Sequence, residues 1–153
     1  MDRRLPERQR QKFMCILNEI RKTSRFDEND QYIQHGTTTV KEHCINVAQT
    51  AYFMSYRLRI RVHEEDLIRG ALLHDYFLYD WHEKCLKNSI HGFTHPKKAL
   101  TEASKDFDLT RIEEDMIRSH MFPLTVRPPK YRESVLLCIA DKICALQETI
   151  GGR

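Results

Sequence analysis

An all-helical fold, a single-domain bundle of about six helices, is what three features of this chain predict. Apolar residues recur at three- and four-residue intervals in separate segments, and two of those segments open with the capping-box spacing, Thr39-x-x-Glu42 and Thr110-x-x-Glu113. No stretch of convincing length alternates with the period of a strand, and no internal repeat or low-complexity tract is present. A length of 153 residues at 41% apolar composition suits one core and is short for two ordinary domains.

The elements follow in order. Phe13, Ile16, Leu17 and Ile20 share one helical face behind Pro6, a residue suited to a first turn. Residues 23–36 are polar and without a period, and are expected to form a loop. The second helix starts at Thr39 and carries Val40, Cys44, Val47, Ala48 and Ala51 as a wide apolar stripe, with His43 beside it and Asn46 placed to support its ring. The third runs from about Glu64 to His74 and gives way to the aromatic-rich Tyr76-Phe77-Leu78-Tyr79-Asp80-Trp81-His82, read mainly as packing. Pro96 is expected in the first turn of a short fourth helix, placing His95 at or beside its N-cap. Ile112, Met116 and His120 recur every fourth residue of the fifth helix. Pro123, Pro128 and Pro129 then forbid a helix, and the last helix spans about Arg132 to Ile150, ahead of Gly151-Gly152.

Charge and cysteine usage narrow the class of protein. The formal net charge is +3, with the excess concentrated near the N-terminus in Arg3, Arg4, Arg8, Arg10, Lys12, Arg21, Lys22 and Arg25. We read residues 1–36 as a basic amphipathic helix and loop packed on a domain of residues 37–153, its charges forming a solvated face rather than a nucleic-acid or membrane arm. With no run of about 18 apolar residues and no leader pattern, the expectation is a cytoplasmic chain with no membrane partner. Five cysteines without paired spacing, Cys15, Cys44, Cys85, Cys138 and Cys144, read as reduced thiols.

The informative residues are polar ones on apolar backgrounds. His74 follows Leu67, Gly70 and Ala71 on one helical face and is joined directly to Asp75. Asp141 stands among Leu137, Cys138, Cys144 and Ala145, and His120 shares a face with Met116. A carboxylate withdrawn from water stays ionised only when paired, strongly hydrogen-bonded or bound to a cation. His43, His74, Asp75 and Asp141, with His95 and His120 in addition, offer a mixed nitrogen and oxygen set suited to Fe, Mn, Co, Ni, Zn or Mg with positions open to water. A structural zinc site would close with thiolates, and no thiolate cluster exists here.

The ordered pattern His43, Gly70-Ala71-Leu72-Leu73-His74-Asp75, His95-Pro96, His120 and Ala140-Asp141-Lys142 resembles the HD-domain superfamily of metal-dependent phosphohydrolases over about residues 39–146. The resemblance implies that His43, His74, Asp75 and Asp141 hold one divalent ion. His95, with His91 as its alternative, and His120 would then bind a second ion, with Asp75 bridging both as the central catalytic carboxylate. It implies hydrolysis, by metal-activated water, of a phosphate ester or anhydride in a nucleotide or other small phosphorylated metabolite. Lys142 and Arg127 are the phosphate-binding candidates, ahead of Lys97, Lys98 and Lys130. Asp80, His82, Glu83 and His91 are candidates for the general acid. Many relatives continue the His-Asp pair with Ile-Gly-Lys, where this chain has Tyr76-Phe77-Leu78. That departure supports an alternative, a metal- and nucleotide-binding sensory module with little or no turnover.

Overall fold

A computed structural model describes residues 4–76 and 91–151. The expectations for Phe77, Leu78, Tyr79, Asp80, Trp81, His82, Glu83 and Cys85 lie outside the described residues, as does that for the side chain of His91. Six α-helices appear among those described: α1 (Glu7–Thr23), α2 (Val40–Arg57), α3 (Glu64–Leu73), α4 (His91–Asp106), α5 (Arg111–Ser119) and α6 (Arg132–Gly151). The fold is all-α. Helix α2 packs against α3 and α6, α3 and α6 both meet α5, α1 lies on α3, and α4 on α5.

The local signals act as their chemistry requires. Thr39 Oγ1 accepts from the Glu42 amide at 3.1 Å, and the Glu42 carboxylate accepts from the Thr39 amide at 2.9 Å. Thr110 and Glu113 repeat this exchange at 3.1 Å in each direction, so both helices start where their free amides find acceptors. The apolar face of α1, Phe13, Ile16, Leu17 and Ile20, enters the same core as Val47 and Ala51 of α2 and Leu67 and Leu72 of α3. Its basic face is paired in part with acids: Arg10 with Glu7, Lys12 with Glu64 at 2.6 Å and Arg21 with Asp27 at 2.8 Å. No described helix is long and apolar enough to cross a membrane.

Two expectations are corrected. The segment 23–36 is more than a loop: Phe26–Gln31 forms a 3₁₀ helix, and Ile33–His35 (β1) pairs antiparallel with Thr38–Thr39 (β2). Phe26 is fully buried, Asn29 donates to the Phe26 carbonyl at 3.0 Å, and Gly36 supplies the positive φ of 56° that the turn needs. Strands this short leave no readable period. Pro96 is the other correction, because it lies inside α4 rather than in its first turn. A proline there lacks the amide that would reach the carbonyl four residues back, so the helix tolerates one missing bond.

Gly70 sets the approach of α3 to α5. A Cβ at that position would lie 2.4 Å from the sulfur of Met116 and 3.3 Å from its Cβ. Met116 is itself fully buried and has no solvent to swing into. The missing side chain therefore lets two helices meet closely just before their C-terminal ends, where His74 and His120 cap them. Asp115, next to Met116, ties α5 to the start of α6, accepting from Ser134 Oγ at 2.6 Å and from the Lys130 amide at 3.0 Å. Gly70→Val should overpack this contact and lower stability by about 1–3 kcal/mol in denaturant unfolding. An unchanged midpoint would contradict the close-approach account.

Candidate metal centre

Five helices deliver the polar cluster. His43 comes from the second turn of α2, His74 and Asp75 from the end of α3, His120 from the end of α5, and Asp141 from the middle of α6, while His95 enters from α4. His43, His74, Asp75 and His120 are all buried. His95 and Asp141 are slightly open, at 12% and 14% side-chain exposure.

Ring orientation follows from the helix ends. The last carbonyls of a helix lack intrahelical partners. His74 Nδ1 donates to the Ala71 carbonyl at 2.6 Å, and His120 Nδ1 donates to the Ile117 carbonyl at 2.7 Å. A carbonyl can only accept, so each ring carries a proton on Nδ1 and turns Nε2 inward. Both Nε2 atoms are buried without a hydrogen-bond partner. Their rings stand edge to face, with centroids 5.0 Å apart.

Asp75 lies between two pairs of imidazoles. Its Oδ2 is 3.3 Å from His74 Nε2 and 3.6 Å from His43 Nε2. Its Oδ1 is 2.6 Å from His95 Nε2 and 3.3 Å from His120 Nε2. Asp141 Oδ1 adds contacts to His43 Nε2 at 2.9 Å and His74 Nε2 at 3.5 Å. Three overlapping sets have ligand atoms close enough to surround an ion: His43, His74 and Asp75; His74, His120 and Asp141; Asp75, His95 and His120.

The electrostatics show what the cluster lacks. Burial opposes charge on His43, yet its contacts with Asp141 and Glu148 raise its pKa to about 10. His74 is likewise held well above the usual imidazole value, against burial, chiefly by Asp75. Burial would push Asp75 and Asp141 upward, but the surrounding imidazoles hold both carboxyls far down. His120 is depressed by burial. Protons on imidazole nitrogens thus neutralise two buried carboxylates at the positions where a divalent cation would do the same. With two orphaned Nε2 atoms aimed inward and carboxylate oxygens opposite, the donor set fits such a cation.

The turn carrying Asp75 is anchored from behind. Tyr76 is buried, stacks edge-on against Phe107 at 5.8 Å and donates its hydroxyl to Asp106 near the end of α4. Arg25 reaches the same carboxylate at 2.8 Å and gives its amide to the Tyr76 hydroxyl at 3.1 Å. This network ties the residue after the His-Asp pair to the helix that brings His95. Tyr76 therefore serves packing.

Not every expected residue reaches the centre. Lys142 is exposed but folds back over the C-terminal end of α5, its Nζ 3.4 Å from the carbonyls of His120 and Cys138. Arg127 and Lys97 are exposed and Lys98 is half-buried, while exposed Lys130 is held through its backbone amide by Asp115. Asn46 supports the His43 ring through an intermediary: it donates to Glu148 at 3.2 Å, and Glu148 meets His43 Nδ1 at 2.7 Å. Glu148 is absent from the sequence reading. Its signal is a seven-residue step from Asp141, two helical turns along the same face. Cys15, Cys44, Cys138 and Cys144 are free thiols.

The family model of the HD domain matches residues 40–146, well over half of the chain. No curated protein and no solved structure matches it.

Without a cation, His43 protonation stabilises the fold fully below its unfolded pKa of about 6.5, and that contribution is lost as pH rises through about 10. Asp75 and Asp141 act in the opposite sense: their contribution is present above the unfolded carboxylate value of about 4 and fades as pH falls through their depressed values. A cation must displace the imidazole protons, so its stabilising increment should grow with pH. Between pH 6.5 and 8.5 the Tm of the cation-free protein should fall, while the rise in Tm on adding manganese should increase. An increment that shrinks over this interval would contradict the assignment.

Proposed function

The chain belongs to the HD-domain family of metal-dependent phosphohydrolases, and on that premise we propose that it hydrolyses a phosphate ester or anhydride of a nucleotide or another small phosphorylated metabolite. The observation that carries this reading is the division of Asp75: one oxygen faces His43 and His74, the other His95 and His120. A single carboxylate between two imidazole pairs suits two ions better than one. In this reading His43, His74, Asp75 and Asp141 would hold the first ion, and His95 and His120, with Asp75, would hold the second. Divalent ions bound in such a set acidify a water and neutralise charge on phosphoryl oxygens.

The chain's own residues do the rest. The inward-facing rings of His74 and His120 are fixed by their Nδ1 bonds before anything binds, which removes the cost of orienting them. Burial keeps bulk water from competing for Asp75. The partial opening beside His95 and Asp141 is the natural approach for a phosphate. Lys142, whose ammonium lies 3.4 Å from the His120 carbonyl, is the first candidate to meet an anionic oxygen of the substrate. Arg127, which is exposed, is the second candidate for the same task.

One observation favours the second reading, a module that binds metal and nucleotide with little turnover. Tyr76, directly after the His-Asp pair, is occupied by Asp106, Arg25 and Phe107. That side chain is unavailable for chemistry.

Purified protein incubated with Mn, Fe, Co, Ni, Zn or Mg and a panel of nucleotides should release phosphate with at least one cation, and a chelator should abolish the release. Asp75→Asn and His74→Ala should each lower the rate by on the order of 10²–10³ or more, as loss of a principal electrostatic element does. Metal-dependent nucleotide binding without phosphate release would favour the module. Release unaffected by either substitution would refute the site.

A further inference from the structure

The four imidazoles of the cluster are not oriented in the same way. His74 and His120 sit at helix ends, where free carbonyls of their own helices take the Nδ1 proton. His43 has no such option, because it lies inside α2, where carbonyls one turn back are already used by the helix. Its Nδ1 instead meets a carboxylate from another helix, Glu148 Oε2, at 2.7 Å. That side chain is only 8% exposed, and its other oxygen accepts from Asn46, one turn after His43 on α2. Glu148 is thus held at both oxygens and directed at the ring of His43.

We infer that Glu148 is a positioning residue for the metal centre: it holds the Nδ1 proton of His43, so that Nε2 alone faces the ion. The inference rests on the metal-binding reading above. A carboxylate paired with the remote nitrogen of an imidazole ligand fixes its tautomer and raises its basicity, and loss of such a partner commonly costs 10–100-fold in metal affinity. His43 also bonds Asp141 at 2.9 Å, which makes the orientation of this ring consequential for a second member of the set. The purely structural alternative is that Glu148 is a clamp between α2 and α6. Thr50 and Cys144 give a control for that alternative, since their 3.3 Å contact joins the same two helices through a different pair of side chains.

The test is manganese or zinc affinity, measured by chelator competition on the full chain, for Glu148→Ala, Glu148→Gln and Thr50→Val. Glu148→Ala should weaken binding by about 10–100-fold. Glu148→Gln keeps an acceptor oxygen and should recover affinity to within about tenfold of the parent protein, while Thr50→Val should leave it unchanged. Nitrogen chemical shifts of His43 in the zinc-loaded parent should show Nδ1 protonated and Nε2 bound. Parent-like affinity in Glu148→Ala, an equal loss in Thr50→Val, or coordination through Nδ1 would overturn the inference alone. Failure of the parent protein to bind any divalent cation would overturn it together with the functional reading beneath it.

Discussion

A buried carboxylate that cannot remain alone governs this structure. Asp75 is 2% exposed, and imidazole nitrogens from three other helices and from its own lie within reach of its oxygens. Desolvating that charge would cost several kcal/mol if nothing answered it. The helices are consequently arranged by what their ends must deliver. Gly70 brings α3 and α5 close enough for their terminal histidines to meet, α2 and α6 are joined through His43, Asp141 and Glu148, and Arg25 with Asp106 secures the turn behind Asp75.

Charge balance then separates a structural cluster from a chemical one. In a structural cluster each polar atom ends in a complementary partner. Here the inward Nε2 atoms of His74 and His120 make no hydrogen bond, and His43 and His74 balance the acids by holding protons at unusually high pKa. Such protons occupy the directions in which a divalent ion would be ligated. The arrangement makes sense as a receptor for positive charge, and membership of the HD-domain family supplies the reaction class in which that charge is used.

Much of this was legible in the sequence, and what was not has physical causes. The capping boxes at Thr39 and Thr110 announced two helix starts because their hydrogen bonds are local. His43, His74, Asp75, His95, His120 and Asp141 stood out because polar side chains on apolar faces must meet something. Three features escaped the reading. Glu148 looks like an ordinary polar residue late in a helix, since its partner is 105 positions away. The short pairing of Ile33–His35 with Thr38–Thr39 is too brief to carry a period. Pro96 departs from the general preference for a first turn, lying inside a helix that packs against α5.

The most direct test is anomalous diffraction from crystals of the protein grown with manganese or zinc, collected at the absorption edge of that metal. The account predicts a strong peak enclosed by His43, His74, Asp75 and Asp141, with a second beside His95 and His120 sharing Asp75. An empty cluster under every cation tried, or peaks confined to surface residues, would contradict it.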